Sequence, residues 1–195
     1  MLHNDKIVSS EGNGQTKDSS KNKKVSIIIT GTYYRKTWLG IAKELRANGY
    51  IVDFIGTSNI VSRDVHNHHF TFYNMNDHLK KTKKDYADDK FQDILKKLGT
   101  NDEDFYFTRE KYVYGASTNQ IRGHVYTYFN FFEWYYSTIK PDVILQNGDD
   151  TLNLVAEKQA KRHSIKTLHT NCIGILPDTI NWDSSIYHNG WVKEK

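Results

Sequence analysis

From residue 25 onward, short apolar runs alternate with amphipathic stretches, and the alternation predicts the order of elements. Val25–Ile29 and Ile51–Ile55 are apolar runs closed by Thr30-Gly31-Thr32 and Gly56-Thr57-Ser58, the pattern of strands buried on both faces. Between them Trp38, Ile41, Ala42 and Leu45 mark one helical face, and Asn48-Gly49 ends it, since glycine accepts the left-handed backbone of a helix stop. His69–Tyr73 alternates as a third strand would. Lys80–Lys97 is strongly charged, with Phe91, Ile94, Leu95 and Leu98 on one stripe, which predicts a solvated amphipathic helix rather than a phosphate-binding patch. Residues 101–115 read as loop with room for a short helix.

Ser117-Thr118-Asn119-Gln120 has the form of a capping box, which opens a long helix reaching Ile139. Ile121, Val125, Tyr128, Phe129, Phe132 and Tyr136 fall on one side of it. Aromatic residues fill eight of the eleven positions from Tyr126 to Tyr136, more than one core-facing stripe needs. Phe131 and Trp134 lie off that stripe, which predicts contact with a second domain or subunit.

The stretch from Pro141 to Asp183 reads as strand, loop, helix, strand, loop. Val143, Ile144 and Leu145 follow Pro141, and Gly148-Asp149-Asp150 breaks the run. Asp150 or Thr151 caps the next helix by accepting a backbone N–H, and Leu152, Val155, Ala156, Gln159 and Ala160 recur at helical steps. Ile165–His169 is the next strand, and Thr170–Asp183 is a polar loop carrying Gly174 and Pro177. Strand–helix alternation of this kind predicts an α/β fold, a Rossmann-like doubly wound parallel sheet in the order 3-2-1-4-5. The Val25 strand is central and the Val143 strand lies beside it. Residues 1–23, rich in Ser, Asn, Gly and Lys, read as a disordered tail, because they lack the apolar surface to offset ordering entropy. Residues 24–183 form the domain, and residues 184–195 begin a linker to a second half.

Composition narrows the function. No apolar run approaches a membrane span, and the N-terminus lacks a signal-peptide pattern, so the expected compartment is the cytoplasm. The single cysteine, Cys172, excludes an intrachain disulfide and suits a reducing environment. Half of the net charge of +4 sits in residues 1–24, so charge does not argue for nucleic acid. Gly31-Thr32-Tyr33 is neither G-x-G-x-x-G nor a Walker A loop, which argues against a dinucleotide or P-loop site. No cofactor is implied. His66 and His68 would share a strand face, but no third metal ligand stands at the usual spacing.

In open α/β sheets ligands bind at the loops leaving the carboxyl ends of the strands. Candidate catalytic groups are therefore Asp149, Asp150 and His169, with Asp150 favoured as helix cap and Asp149 as ligand contact. Asn147, Asn171 and Asp178 are candidate substrate contacts on the same two loops. Thr32 and Arg35, after the first strand, are further candidates for an anion or a sugar.

Pro141-Asp142, Asn147-Gly148-Asp149, Gly174-Ile175-Leu176-Pro177-Asp178-Thr179-Ile180 and Asp183 together resemble the capsule polysaccharide biosynthesis family, glycosyltransferase-like proteins related to Kdo transferases. The chain departs from the family pattern at two places, one of them Ser184-Ser185-Ile186-Tyr187 where the family tends to have a glycine-valine-asparagine segment. The family also commonly has an acidic residue before the position of Gly174, where this chain has Asn171-Cys172-Ile173. The resemblance implies the N-terminal, acceptor-side half of a GT-B-type transferase, cytoplasmic or peripheral at the inner face of the membrane. A sugar nucleotide and a glycan or glycolipid acceptor are the implied partners, and a second half would contact Trp134 and the C-terminal segment. The alternative from the residues alone is a non-catalytic binding or scaffold module on the same sheet edge.

Overall fold

The computed structural model describes residues 23–32, 34–79, 88–100, 110–112, 115–148, 150–172 and 180–183. The tail, Asp149, Asp178 and the 184–195 segment lie outside them. In chain order the elements are β1 (Lys24–Ile29), α1 (Arg35–Ala47), β2 (Ile51–Gly56), α2 (Asn59–Asn67), β3 (Thr71–Asn74), α3 (Met75–Leu79) and α4 (Asp88–Lys97). They continue as α5 (Thr118–Thr138), β4 (Val143–Asn147), α6 (Thr151–Arg162), β5 (Lys166–Cys172) and β6 (Ile180–Asp183). The sheet order is β3-β2-β1-β4-β5-β6. Its first five strands are parallel, with β1 between β2 and β4. This is the doubly wound arrangement that the buried runs predict.

Both faces of the sheet are covered, as parallel strands require. Val25, Ile27 and Ile29 of β1 join Val52, Phe54 and Leu145 beneath Trp38, Leu39 and Ala42 of α1 and Val61 and Val65 of α2. Ile28, Ile55 and Ile144 face the other way, against α4, α5 and α6. Alternate residues of one strand thus serve two separate cores. Gly56 ends β2 where a Cβ would lie 2.6 Å from the Ile29 carbonyl oxygen, so the close approach of β1 and β2 needs glycine there.

The long helix begins as its capping box predicts. Ser117 Oγ accepts from Gln120 N at 3.3 Å, and Gln120 Oε1 accepts from Ser117 N at 2.8 Å. Far along it, Tyr135 reaches back to the centre of the sheet. Its hydroxyl donates to Asp53 Oδ1 at 2.7 Å and lies 2.8 Å from Ser26 Oγ. Ser26 and Asp53 are cross-strand partners, and all three groups are buried.

Several expectations change. Helix α2 stands where no element was expected, started by Ser58 Oγ accepting from Val61 N at 3.4 Å. Its inward residues, Val61 and Val65, are one helical step apart, too sparse a stripe to announce a helix. His66 is therefore on a helix and His68 is its C-cap, so they do not share a strand face. The third strand is Thr71–Asn74 rather than His69–Tyr73, since His69 takes a left-handed backbone with φ 58°. The expected loop from Thr170 is partly sheet: β5 runs on to Cys172, and β6 pairs with it antiparallel, Thr170 opposite Trp182. An edge strand pair is held by its ladder hydrogen bonds and needs no apolar pattern. Phe131 is buried, packed edge-on to His78 of α3 at 5.5 Å, so the flank expected to meet another subunit is covered from within. Trp134 stacks on the same imidazole at 4.8 Å and keeps 37% of its surface exposed.

Candidate functional site

β1 leads into α1 on one face of the sheet, and β4 leads into α6 on the other. Neighbouring parallel strands whose connections diverge leave a crevice at their carboxyl ends. A cavity of about 300 Å³ opens there. Thr30 and Thr57, the exits of β1 and β2, form its floor together with Asp150 and Leu152 after β4. Its opposite wall is His124 and Tyr128 from the first turns of α5, with Glu110 and Ala116 from the segment before it. Among the described residues that line it, none is Lys or Arg.

Local chemistry holds each wall. Gly148, with φ 110°, turns the chain out of β4 in a conformation that L side chains rarely adopt. Asp150 then caps α6, its Oδ1 accepting from Asn153 N at 2.9 Å and from Asn153 Nδ2 at 3.1 Å. Asn153 Nδ2 also donates to the Asn147 carbonyl at 3.0 Å, so one amide fixes both ends of the turn. On the opposite wall Glu110 Oε2 lies 2.9 Å from His124 Nδ1, and Ala116 N donates to the Glu110 carbonyl at 3.0 Å. The Glu110 hydrogen bond pushes the His124 imidazole above its ordinary pKa, while burial opposes the shift. Burial first, and then the charges of Glu110 and Asp150, push the Tyr128 phenol well up, so it stays protonated and able to donate.

The expected site residues separate. Asp150 lines the cavity. His169 does not: it is about 1% exposed, on the α6 side of β5. There the Gln146 amide nitrogen lies 3.0 and 3.2 Å from its ring nitrogens, and Glu157 Oε2 of α6 lies 3.5 Å away. Asn147 is turned to the other face and donates to Thr170 Oγ1 at 2.9 Å. Arg35 is committed to an ion pair with Asp64 of α2 at 2.9 Å. Thr32 is exposed in the turn before α1, outside the cavity lining. Asn171 pairs with Asn181 through the backbone of β6, while Asp149 and Asp178 lie outside the described residues.

Glu110, His124 and Tyr128 were not anticipated. Tyr128 belongs to the apolar stripe of α5, the pattern of a core residue. His124 sits one helical turn before it, a spacing that places both at the same wall once the capping box fixes the helix start. No sequence signal distinguishes Glu110.

Neither a family model nor a curated protein matches the chain. Solved structures do. A UDP-N-acetylglucosamine 2-epimerase matches 76% of this chain and 33% of its own at 13% identity, with a TM-score of 0.46. Acinetobacter baumannii MurG matches 75% of this chain and 34% of its own at 14% identity and a TM-score of 0.46. The UDP-GlcNAc 2-epimerase of Methanocaldococcus jannaschii matches 75% and 30% at 16% identity and 0.44. The chain spans about a third of the length of these structures.

Proposed function

We propose that this chain is the acceptor-side half of a sugar-nucleotide-dependent, glycosyltransferase-like protein of capsule or surface polysaccharide assembly. The observation that carries the reading is the lining of the switch-point cavity. Two carboxylates, two threonine hydroxyls, a phenol and an imidazole meet there, and no Lys or Arg stands among the described lining residues. Such a lining accepts and donates hydrogen bonds to hydroxyls, the surface of a sugar. It disfavours a diphosphate, which needs cations or unpaired backbone N–H groups. The donor nucleotide would then be held by a second half. The resemblance of Pro141–Asp183 to capsule biosynthesis proteins supports the same reading, since the turn after β4 is part of that motif and supplies Asp150.

No helix among the described residues is long and apolar enough to cross a membrane. A glycolipid acceptor, the class the capsule resemblance implies, would be met at a membrane surface. Half of a two-half cleft neither excludes water nor positions both substrates, so the chain alone is expected to transfer no sugar.

The test is binding by amide-detected NMR on the full chain, with N-acetylglucosamine and UDP as separate probes. The sugar should shift the amides of Thr30, Thr57 and Thr151, and UDP should leave them in place. Tight UDP binding in this cavity without sugar binding would overturn the reading.

A further inference from the structure

We propose that His124 and Glu110 form a proton-accepting pair that works on a hydroxyl group of the ligand held in this cavity. The ligand's identity as a sugar rests on the acceptor-site reading above. The wiring of the pair comes from geometry. In the neutral ring a carboxylate 2.9 Å from Nδ1 holds the proton there and leaves Nε2 with its lone pair. Nε2 has no partner among the described residues. The His124 side chain is 49% exposed and that of Glu110 only 12%, so the carboxylate stands behind the imidazole. A base oriented by a third group is the arrangement that activates a weak nucleophile.

The surroundings suit that role. His124 lies in the second turn of α5, behind a helix start fixed by both halves of a capping box. The titratable groups that share the cavity with it are Glu110, Tyr128 from its own helix and Asp150 from the turn after β4. Tyr128 lies 5.9 Å away between ring centroids and remains protonated, so it donates rather than competes for the proton. Asp150 Oδ1 is occupied by the two Asn153 donors. The imidazole, intrinsically a stronger base than a carboxylate, is then the group best placed to accept a proton.

In transfer from a sugar nucleotide the step balances as follows. The acceptor hydroxyl's proton goes to Nε2, and its oxygen's electron pair forms the bond to the anomeric carbon. The bond from that carbon to the diphosphate oxygen breaks, and its electron pair leaves with the diphosphate. Glu110 balances the charge left on the imidazolium.

The experiment uses the full chain labelled with ¹⁵N-histidine, with the His124 signals assigned by their loss in His124→Gln. Long-range ¹H–¹⁵N spectra through a pH titration should show a neutral ring protonated at Nδ1. Glu110→Ala should remove that preference and lower the midpoint. Saturating N-acetylglucosamine should lower the wild-type midpoint by about 0.5–1 pH unit, the size one neutral hydrogen bond supplies, because a hydroxyl donating to Nε2 favours the neutral ring. A neutral ring protonated at Nε2 overturns the pair, as does bound sugar that leaves the midpoint unmoved or raised. Absence of sugar binding to the wild-type chain overturns instead the acceptor-site reading, while the protonated nitrogen still tells whether the pair is wired as a base.

Discussion

The Tyr135 hydroxyl, carried by a helix, donates to Asp53 on β2 at 2.7 Å. The same oxygen lies 2.8 Å from Ser26 Oγ. Removing the phenol by Tyr135→Phe leaves a buried carboxylate short of a donor. The expected loss is about 1–3 kcal/mol, read as a lower urea midpoint with an unchanged slope. A Phe variant as stable as the wild type would mean that Asp53 finds another donor.

Asp53 also gives a pH prediction. Burial raises its pKa above 3.8, against the opposing hydrogen bonds of Ser26 and Tyr135 and the charge of Lys24. The folded state therefore holds this proton more tightly than the unfolded chain. That contribution to stability is full below the unfolded value and is lost as pH rises through the higher folded value. Asp53→Asn removes the titration, so the variant should gain on the wild type as pH climbs above about 4. Parallel denaturation curves at each pH measure it.

Ser117→Ala removes one half of the capping box and should cost about 0.5–2 kcal/mol. His124 and Tyr128 lie in the turns that follow. The same variant should therefore weaken N-acetylglucosamine binding at a temperature where it is still folded.

Gly56→Ala sets a methyl against the Ile29 carbonyl oxygen at 2.6 Å. That contact is backbone and cannot swing aside. A loss of about 1–3 kcal/mol is expected, visible in thermal unfolding. Alanine at Gly31, where nothing lies within 4 Å, is the control and should leave the melting temperature in place.

His169 and Asp150 should part company in mutation. His169→Ala strips the buried contacts to Gln146 and Glu157 and should destabilise by about 1–3 kcal/mol, with sugar binding retained when folded. Asp150→Asn keeps a good helix cap but removes a charge from the cavity, so binding should fall with the melting temperature nearly unchanged. Calorimetry beside a binding titration separates the two outcomes.

The strand order was legible because β1, β2 and β4 are buried on both faces and read as apolar runs between turn residues. The cap of α5 was legible because its chemistry is local: two side chains and two backbone groups three residues apart. The site was less so. Asp150 followed from its place after a strand, but His169 came from the same rule and points into the packing beneath α6. A strand's final residues alternate faces, so position at its end does not say which way a side chain looks. Glu110 and His124 are 14 residues apart, and only tertiary folding brings them together. Helix α2 and strand β6 escaped for a related reason, since each is held by neighbours rather than by a strong pattern of its own.

The outer strands of the sheet bear on how copies of the chain meet. β3 and β6 each have four residues, and β6 runs against the direction of the other five. A short rim exposes few unpaired amides and carbonyls, which limits the template for an added strand. Growth of the sheet from one molecule into the next is thereby discouraged at both borders.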